Sequence, residues 1–405
     1  MKILVINSGS SSIKYKLYKS AGGIGEFVVL AQGGAERIGI SGASVECKKP
    51  GSEMEHQYLD LPDHKKAINA IFNMLTDPAK GVLKSLSDLA GVGHRVVHGG
   101  EDFTKSVLID GSVVEAIRKN SVLAPLHNPP NLMGIQAIYE LFPDMPQVAV
   151  FDTAIHQTMP PKAYLYGLPK DQYTAHKIRR YGFHGTSHGY VAKMAAKELK
   201  KPFEKLKIIT CHLGNGGSIT AFDGGRSVDT SMGLTPLAGI LMGTRSGDLD
   251  PYIPLHIMET QHLSGEQVSA MMNKQGGLQG LCGQRDMRDV LAGRAKGNEG
   301  CIEAFDMFVY SIQKYIGAYA AAMNGVNVIV FTAGIGENNP IVREKVLENF
   351  GYIGLKLDKK ANDAGKTVIT SAISKVKAMV IHTDEEMVIA ADTLALIKAK
   401  KKNEQ

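Results

Sequence analysis

Cysteine is scarce: Cys47, Cys211, Cys282 and Cys301 are the four in 405 residues. They lie far apart with no Cys-x-x-Cys pair. That excludes a disulfide framework and a thiolate zinc site, and it suits reduced thiols in a cytosolic protein. Long apolar runs are missing too. The opening run is about five residues, short of a signal-peptide core, and no stretch approaches the roughly 18 apolar residues a membrane helix needs. Nor is there a strong excess of one charge. The formal net charge is +6, with Lys and Arg interspersed among acids except in the terminal KAKKKNEQ. Such a balance leaves no nucleic-acid footprint, and the basic end is expected to be a solvated, fraying terminus. The expectation is a cytoplasmic protein with neither nucleic acid nor membrane as partner.

What is present is the balance of a globular protein, 44% hydrophobic and 21% charged. A chain this long exceeds one ordinary core, so two domains are expected. Residues 3–18, ILVINSGSSSIKYKLY, place small polar residues between an apolar run and a stretch of period two: strand, tight turn, strand. From 207 the same grammar returns in KIITCHLGNGGSITAFDGG. Two readings fit: a duplicated fold with one copy starting at each point, or coincidence of two Gly/Ser hairpins. Helical spacing marks 65–76, 133–142, 188–200 and 303–323. VNVIVFTAGIGENN reads as a buried strand ending in a Gly-rich turn, with a helix from Pro340. Strands alternating with helices mean an α/β fold. The proline-rich FPDMPQVAVFDTAIHQTMPP is a plausible domain seam, and the chain closes on a strand, a turn and a helix.

Three Gly-rich turns follow strands, near Asn7, Asn215 and Gly334. Backbone N–H groups can approach a phosphate where no side chain intervenes. The common phosphate motifs fail, however. Gly365-Lys366-Thr367 resembles the end of a Walker A loop, but the earlier glycine position is Lys360. Gly334-Ile335-Gly336 begins a dinucleotide fingerprint whose last position is Asn339. Two phosphate hairpins and a third Gly turn describe instead a clamp on a nucleoside triphosphate.

That pattern resembles the acetate and sugar kinase, Hsp70 and actin superfamily. INSGSSSIKYKL, GHRVVHGGE, APLHNP, FDTAIHQTMP, RRYGFHGTSH, HLGNGGS, GTRSGDLDP and GIGENN, in this order, resemble the acetate kinase (acetokinase) family over essentially the whole chain. The resemblance implies two duplicated ribonuclease H-like (actin-like ATPase) domains with a cleft between them. The N-terminal acyl-substrate lobe would take 1–151 and 386–405, and the C-terminal nucleotide-binding lobe, with the dimer interface, 152–385. It implies reversible transfer of the ATP γ-phosphoryl group to acetate by in-line attack of the carboxylate. Propionate or another short acyl acceptor is the alternative. Mg²⁺ (Mn²⁺ also serving), ATP/ADP and a homodimer are implied as well.

The difficulty of that reaction is electrostatic. Two unit charges about 4 Å apart repel by roughly 4 kcal/mol at an effective dielectric near 20. A carboxylate carries no proton to remove, so the site needs fixed cations and donors rather than a strong base. Arg95 and Arg245 sit in Gly-rich contexts where a guanidinium can be aimed in bidentate fashion. By resemblance Arg95 meets the acyl carboxylate and Arg245 the transferring group. His184 is assigned by similarity to the transferring phosphoryl. His188 at i+4 invites a metal reading, but the glutamate of His-Glu-x-x-His is absent. His127 is a candidate for substrate positioning. Asp152 is the family's acid or base, although the chemistry favours its orienting an arginine and metal-bound water.

The resemblance further places Val97, Leu126 and Pro236 in an apolar substrate pocket. Asn7 and Glu385 are linked to the metal, Glu386 being a surface neighbour. Lys14 and the run His212, Leu213, Gly214, Asn215 and Gly216 are assigned to the phosphates. Asp286, Met287 and Arg288 are assigned to the nucleotide, with a plain surface ion pair as the other reading. Gly334, Ile335, Gly336, Glu337 and Asn338 are to face the nucleoside, their glycines allowing close backbone approach. A sugar or glycerol kinase would need a base for its hydroxyl acceptor. A nucleotide-switched chaperone or filament protein would carry extra binding elements. A pyrophosphate-linked relative would have a blocked nucleoside site.

Overall fold

The structure is a computed structural model and describes residues 1–21 and 26–403. It divides into two compact units, Met1–Ile155 with Asp384–Gln405, and His156–Thr383. The first unit therefore ends at Ile155 rather than 151 and resumes at Asp384 rather than 386, which moves Asp152 and Glu385 into it.

The first unit holds β1 (Lys2–Ser8), β2 (Ser12–Ser20), β3 (Phe27–Glu36), β4 (Ser44–Lys48), β5 (Glu55–Tyr58), β6 (Leu89–Val96), β7 (Val107–Leu108) and β8 (Gln147–Phe151). They form one sheet in the order β5-β4-β3-β2-β1-β6-β8-β7. The second unit holds β9 (Lys207–Leu213), β10 (Gly217–Asp223), β11 (Arg226–Thr230), β12 (Val328–Thr332) and β13 (Lys377–Val380), in the order β11-β10-β9-β12-β13. In the first sheet β3-β2-β1 pair antiparallel and β1-β6-β8 parallel. In the second, β11-β10-β9 are antiparallel and β9-β12-β13 parallel. One topology occurs twice, so of the two readings of the paired hairpins duplication holds.

Period two decides the faces of the first sheet. Leu4, Ile6, Ile13, Tyr15 and Leu17 pack beneath the helices His64–Thr76 and Asn128–Leu141. Ile3, Val5, Tyr18 and Val150 face the other way, against Ile389, Ala390, Leu394 and Ile397 of the closing helix Glu385–Asn403. That helix lies so close to β6 that a Cβ at Gly93 would sit 2.4 Å from Thr393 Oγ1 and 2.7 Å from Ile389 Cγ2. Glycine at 93 is what lets the helix seat.

Two expectations are corrected. AGIGEN is not an open turn after its strand but a short helix, Ala333–Asn338, entered through Ala333 at φ +63. The basic end, up to Asn403, completes the closing helix with Lys400, Lys401 and Lys402 in its last turn, where cations complement the helix dipole; Glu404 and Gln405 of that stretch lie outside the described residues.

Candidate functional site

Parallel β1, β6 and β8 end together, and the side chains leaving their carboxyl ends share one face. Asn7 follows Val5 by one period, Arg95 follows Gly93, and Asp152 follows Val150. Asn7 lies directly across from Lys14, which is exposed on the same face. The closing helix covers this face and brings Glu385 to it. Carboxyl ends of parallel strands are where α/β sheets place their ligands.

Arg95 donates from Nε and Nη2 to the two carboxylate oxygens of Asp152, at 3.0 and 2.7 Å. The Asp152 side chain is 1% exposed and that of Arg95 24%. The guanidinium is held above its ordinary pKa, first by Asp152 and then by Glu385. Glu385 is the opposite case: burial pushes its carboxyl up to about 7, against the pull of Arg95 and with the added repulsion of Asp152 and Glu386. Its Oε2 is shielded from solvent without a hydrogen-bond partner. Glu386 instead points to Lys16, 3.6 Å away. Among the described residues no group of three or more His, Cys, Asp or Glu could hold a metal by itself. An orphaned carboxylate oxygen on the face of Asn7 fits Mg²⁺, which takes few protein oxygens and keeps waters and phosphate as its other ligands.

Val97 is buried at the end of β6, whereas Leu126 is 66% exposed. His127 precedes the helix Asn128–Leu141 and accepts the Asn131 N–H at 3.1 Å through its carbonyl. Pro236 lies in the other unit, where its carbonyl accepts from Arg245 Nη1 at 3.2 Å. Two asparagines that sequence reasoning missed organise this corner. Asn131 accepts the Val97 N–H at 3.1 Å and donates to the Ser8 carbonyl at 2.8 Å. Asn128 accepts the His98 N–H at 3.0 Å and donates to the His98 carbonyl at 2.9 Å. The available signal was their spacing: residues three apart share a helix face, and both lie in the stretch APLHNPPN, residues 124–131.

In the second unit Thr210 and His212 of β9 and Ser218 and Thr220 of β10 share a face, since Ser218 pairs with His212 and Thr220 with Thr210. The helix Gly185–Glu198 covers it. His184 caps that helix at φ +54, a conformation uncommon for a residue with a side chain. Its ring stacks on His212, centroids 4.2 Å apart, and its Nδ1 meets Ser218 Oγ at 2.8 Å. His212 Nδ1 meets Ser187 Oγ at 2.8 Å. His188 is wholly buried, its pKa well below ordinary through burial first and the neighbouring histidines second. Both ring nitrogens of His188 are engaged by hydroxyls, which disposes of a two-histidine metal site.

Arg245 Nη1 and His184 Nε2 converge on Gly216: a Cβ there would lie 3.4 Å from the first and 3.8 Å from the second. A side chain at 216 would stand between those groups and an anion on the turn. Burial holds the Arg245 pKa below ordinary, yet a guanidinium stays charged.

Beyond the turn a cleft of about 730 Å³ is lined by Gly214, Asn215, Asp286, Met287, Arg288, Gly334, Ile335 and Asn338. Arg285 and Asn339, not singled out by sequence, complete it. The ion-pair reading of Asp286 and Arg288 holds. They form an ion pair, Nη2 to Oδ2 at 2.7 Å, and they line the cleft. The Arg288 bonds push Asp286 down to about 2. Besides Lys14, His212 and Gly216, described above, Leu213, Gly336 and Glu337 do not line the cleft. Leu213 is wholly buried, and Gly336 packs against Phe331. Glu337 is turned into the fold, accepting from Thr332 Oγ1, the Ala333 N–H and the Thr383 N–H and meeting His382 Nδ1. Its carboxylate fastens the entry to the helix Ala333–Asn338, strain at Ala333 included.

One sheet topology used twice, with Gly-rich turns at the strand ends and an arginine and histidine gathered over one turn, defines a phosphotransferase of the actin-like ATPase fold. A profile of the acetokinase family matches residues 2–391. The acetate kinase of Thermotoga maritima is 53% identical over 404 residues, covering 98% of this chain and 99% of that one. The crystal structure of Porphyromonas gingivalis acetate kinase superposes with a TM-score of 0.93 at 45% identity, covering 98% and 99%. That of a propionate kinase from Francisella tularensis gives 0.91 at 41%, with the same coverage. The chain belongs to the acetokinase family.

Proposed function

We propose that this chain catalyses reversible transfer of the ATP γ-phosphoryl group to acetate, giving acetyl phosphate and ADP. The supporting observation is the guanidinium of Arg95, held bidentately by buried Asp152 on the face that also carries Asn7 and Glu385. Its Nη1 is left to receive a carboxylate, and Val97 beside it offers an apolar wall to the methyl group. The cleft lined by Asn215, Arg288 and Gly334 takes the nucleotide. Arg245 and His184, meeting over Gly216, neutralise the phosphoryl in flight, which lowers the barrier between two anions. Acetate attacks in line through a carboxylate oxygen; no proton has to be removed. Asp152 therefore acts by fixing Arg95 rather than as a base. Asn7 and Glu385 would hold Mg²⁺, which would supply charge neutralisation of the phosphates.

Propionate is the second reading, favoured by the likeness to the Francisella propionate kinase. One methylene changes recognition by only about 1–3 kcal/mol. Exposed Tyr252, Ile253, Leu255 and Met258 on the helix Tyr252–Gln261 support a homodimer through the second unit; sedimentation as a monomer at micromolar concentration would contradict it. Four free thiols and a nucleotide co-substrate fit a cytoplasmic setting. The function is tested by coupled ADP release with acetate, propionate, butyrate and glycerol, together with hydroxamate trapping of acyl phosphate. Activity with acetate and none with glycerol is expected; a preference for glycerol overturns the reading.

A further inference from the structure

One face of the β1–β2 ladder carries three successive rungs: Asn7 opposite Lys14, Val5 opposite Lys16, and Ile3 opposite Tyr18. The start of the closing helix Glu385–Asn403 lands on the last two. Tyr18 donates its hydroxyl to Asp384 Oδ1 at 3.1 Å. Lys16 Nζ stands 3.9 Å from the same oxygen and 3.6 Å from Glu386 Oε2, offsetting the two acids that flank Glu385 in sequence. Asp384 in turn caps the helix. Its Oδ1 accepts the Met387 N–H at 3.0 Å and its carbonyl accepts the Val388 N–H at 3.3 Å. All of these residues belong to the first unit.

Tyr18 is buried, and its ring meets Phe27 edge-on, centroids 5.7 Å apart. A hydroxyl so placed needs an acceptor inside the protein, and Asp384 supplies it. Burial first, and then the charges of Asp384 and Glu386, keep that hydroxyl protonated. The phenol is therefore the donor and the carboxylate the acceptor. One oxygen, Asp384 Oδ1, thus receives a bond from a ring fixed in the sheet and a bond from the helix. A cap sets where a helix begins and so which way its first residue points. Glu385 is that first residue, and its Oε2 is shielded from solvent without a hydrogen-bond partner among the described residues.

We propose that Tyr18 is a positioning residue for Glu385: through the Asp384 cap it holds the first turn of the closing helix so that the Glu385 carboxylate stands on the face of Asn7, ready for a divalent cation. The carboxylate is then in place before the cation arrives, and binding does not have to order it. This rests on the Mg²⁺ role proposed for Glu385, and the test separates the two.

Tyr18→Phe keeps the ring and removes only the hydroxyl. The full chain is titrated with Mn²⁺ in the presence of ADP, free Mn²⁺ being read by its electron paramagnetic resonance signal, and the Met387 and Val388 amides are followed by hydrogen exchange. Tyr18→Phe is expected to speed exchange of both amides and to raise the Mn²⁺ dissociation constant about tenfold, the lower end of what losing a partner behind a metal ligand does. Binding of ADP without metal should change less than about twofold, and kcat at saturating Mg²⁺ less than about threefold, since the groups that meet the phosphoryl are untouched. Asp384→Ala should weaken Mn²⁺ binding at least as much. Adding Tyr18→Phe to it should cost less than about twofold more, because both act through one bond. Faster exchange with an unmoved Mn²⁺ constant would make Tyr18 a structural residue only and overturn the proposal, as would fully additive losses in the double variant. Glu385→Gln tells the two failures apart. If it too left Mn²⁺ binding unmoved, the metal role of Glu385 would be wrong; if it weakened binding while Tyr18→Phe did not, the positioning by Tyr18 would be.

Discussion

Asp152 grips Arg95 with both carboxylate oxygens, and the acid is fully enclosed while the base keeps one edge toward solvent. The pair is an aiming device: the buried anion fixes a plane, and the free edge of the cation projects from it.

Asp152→Asn keeps the shape and loses the charge-assisted pair. With Arg95 no longer fixed, kcat/KM for acetate is expected to fall by about 10²-fold or more, the scale on which small misplacements act. The shape of the pH–rate profile should be unchanged, since orientation consumes no proton. Disappearance of one limb of that profile would make Asp152 an acid or base and contradict the aiming role.

Glu385 gives the protein a pH dependence of unusual sign. Its carboxyl titrates near 7 in the folded state against 4.5 ordinarily. Between those values the folded form binds more protons than the unfolded form, so stability without ligands declines as pH rises through that window. Denaturant midpoints from pH 5 to 7.5 should fall for the wild type and stay flatter for Glu385→Gln. Mg²⁺ with nucleotide should remove most of the wild-type decline; no difference between wild type and Glu385→Gln would contradict this.

Asn131→Leu would strand two buried backbone groups, the Val97 N–H and the Ser8 carbonyl. Each unsatisfied group costs about 1–3 kcal/mol, so a loss of stability of about 2–5 kcal/mol is expected by urea titration. Asn131→Asp keeps the acceptor and loses the donor, and should lie between Leu and wild type. KM for acetate should rise in the Asp variant, because β1 and β6 end at the site proposed for acetate.

Arg288→Ala removes an exposed side chain from the cleft proposed for the nucleotide and releases Asp286. KM for ATP is expected to rise about tenfold with kcat nearly unchanged, a signature of lost ground-state binding. Thermal stability should stay within about 0.5 kcal/mol, since exposed ion pairs contribute little. A fall in kcat without a change in KM would remove Arg288 from nucleotide binding.

Much of this was legible in the chain. Alternation in Ile13, Tyr15 and Leu17, and the Gly/Ser turns after β1 and β9, follow from local sterics and period two. Helical spacing located four helices, the structure adding a few residues to their N-terminal ends. Local signals failed where a fold-level contact decided the outcome. Nothing in GIGEN says that Glu337 turns inward to cap Ala333 while Asn338 remains in the cleft, because its partners at 382 and 383 come from the far end of the sequence. Leu126 was apolar in a family-like position and is nevertheless mostly exposed.

The sequence by itself determined the two strand-turn-strand openings, the α/β class, the family and the cationic groups a reaction between anions needs. These are set by short-range backbone preference and by residue chemistry. Only the tertiary structure decided that Arg95 is held by Asp152, that the closing helix brings Glu385 to the first unit, and that His184 is linked through Ser218 to a buried histidine. Each of those relations spans residues distant in the chain, and it is the register of neighbouring strands and the seating of a helix on them that brings such residues within bonding distance.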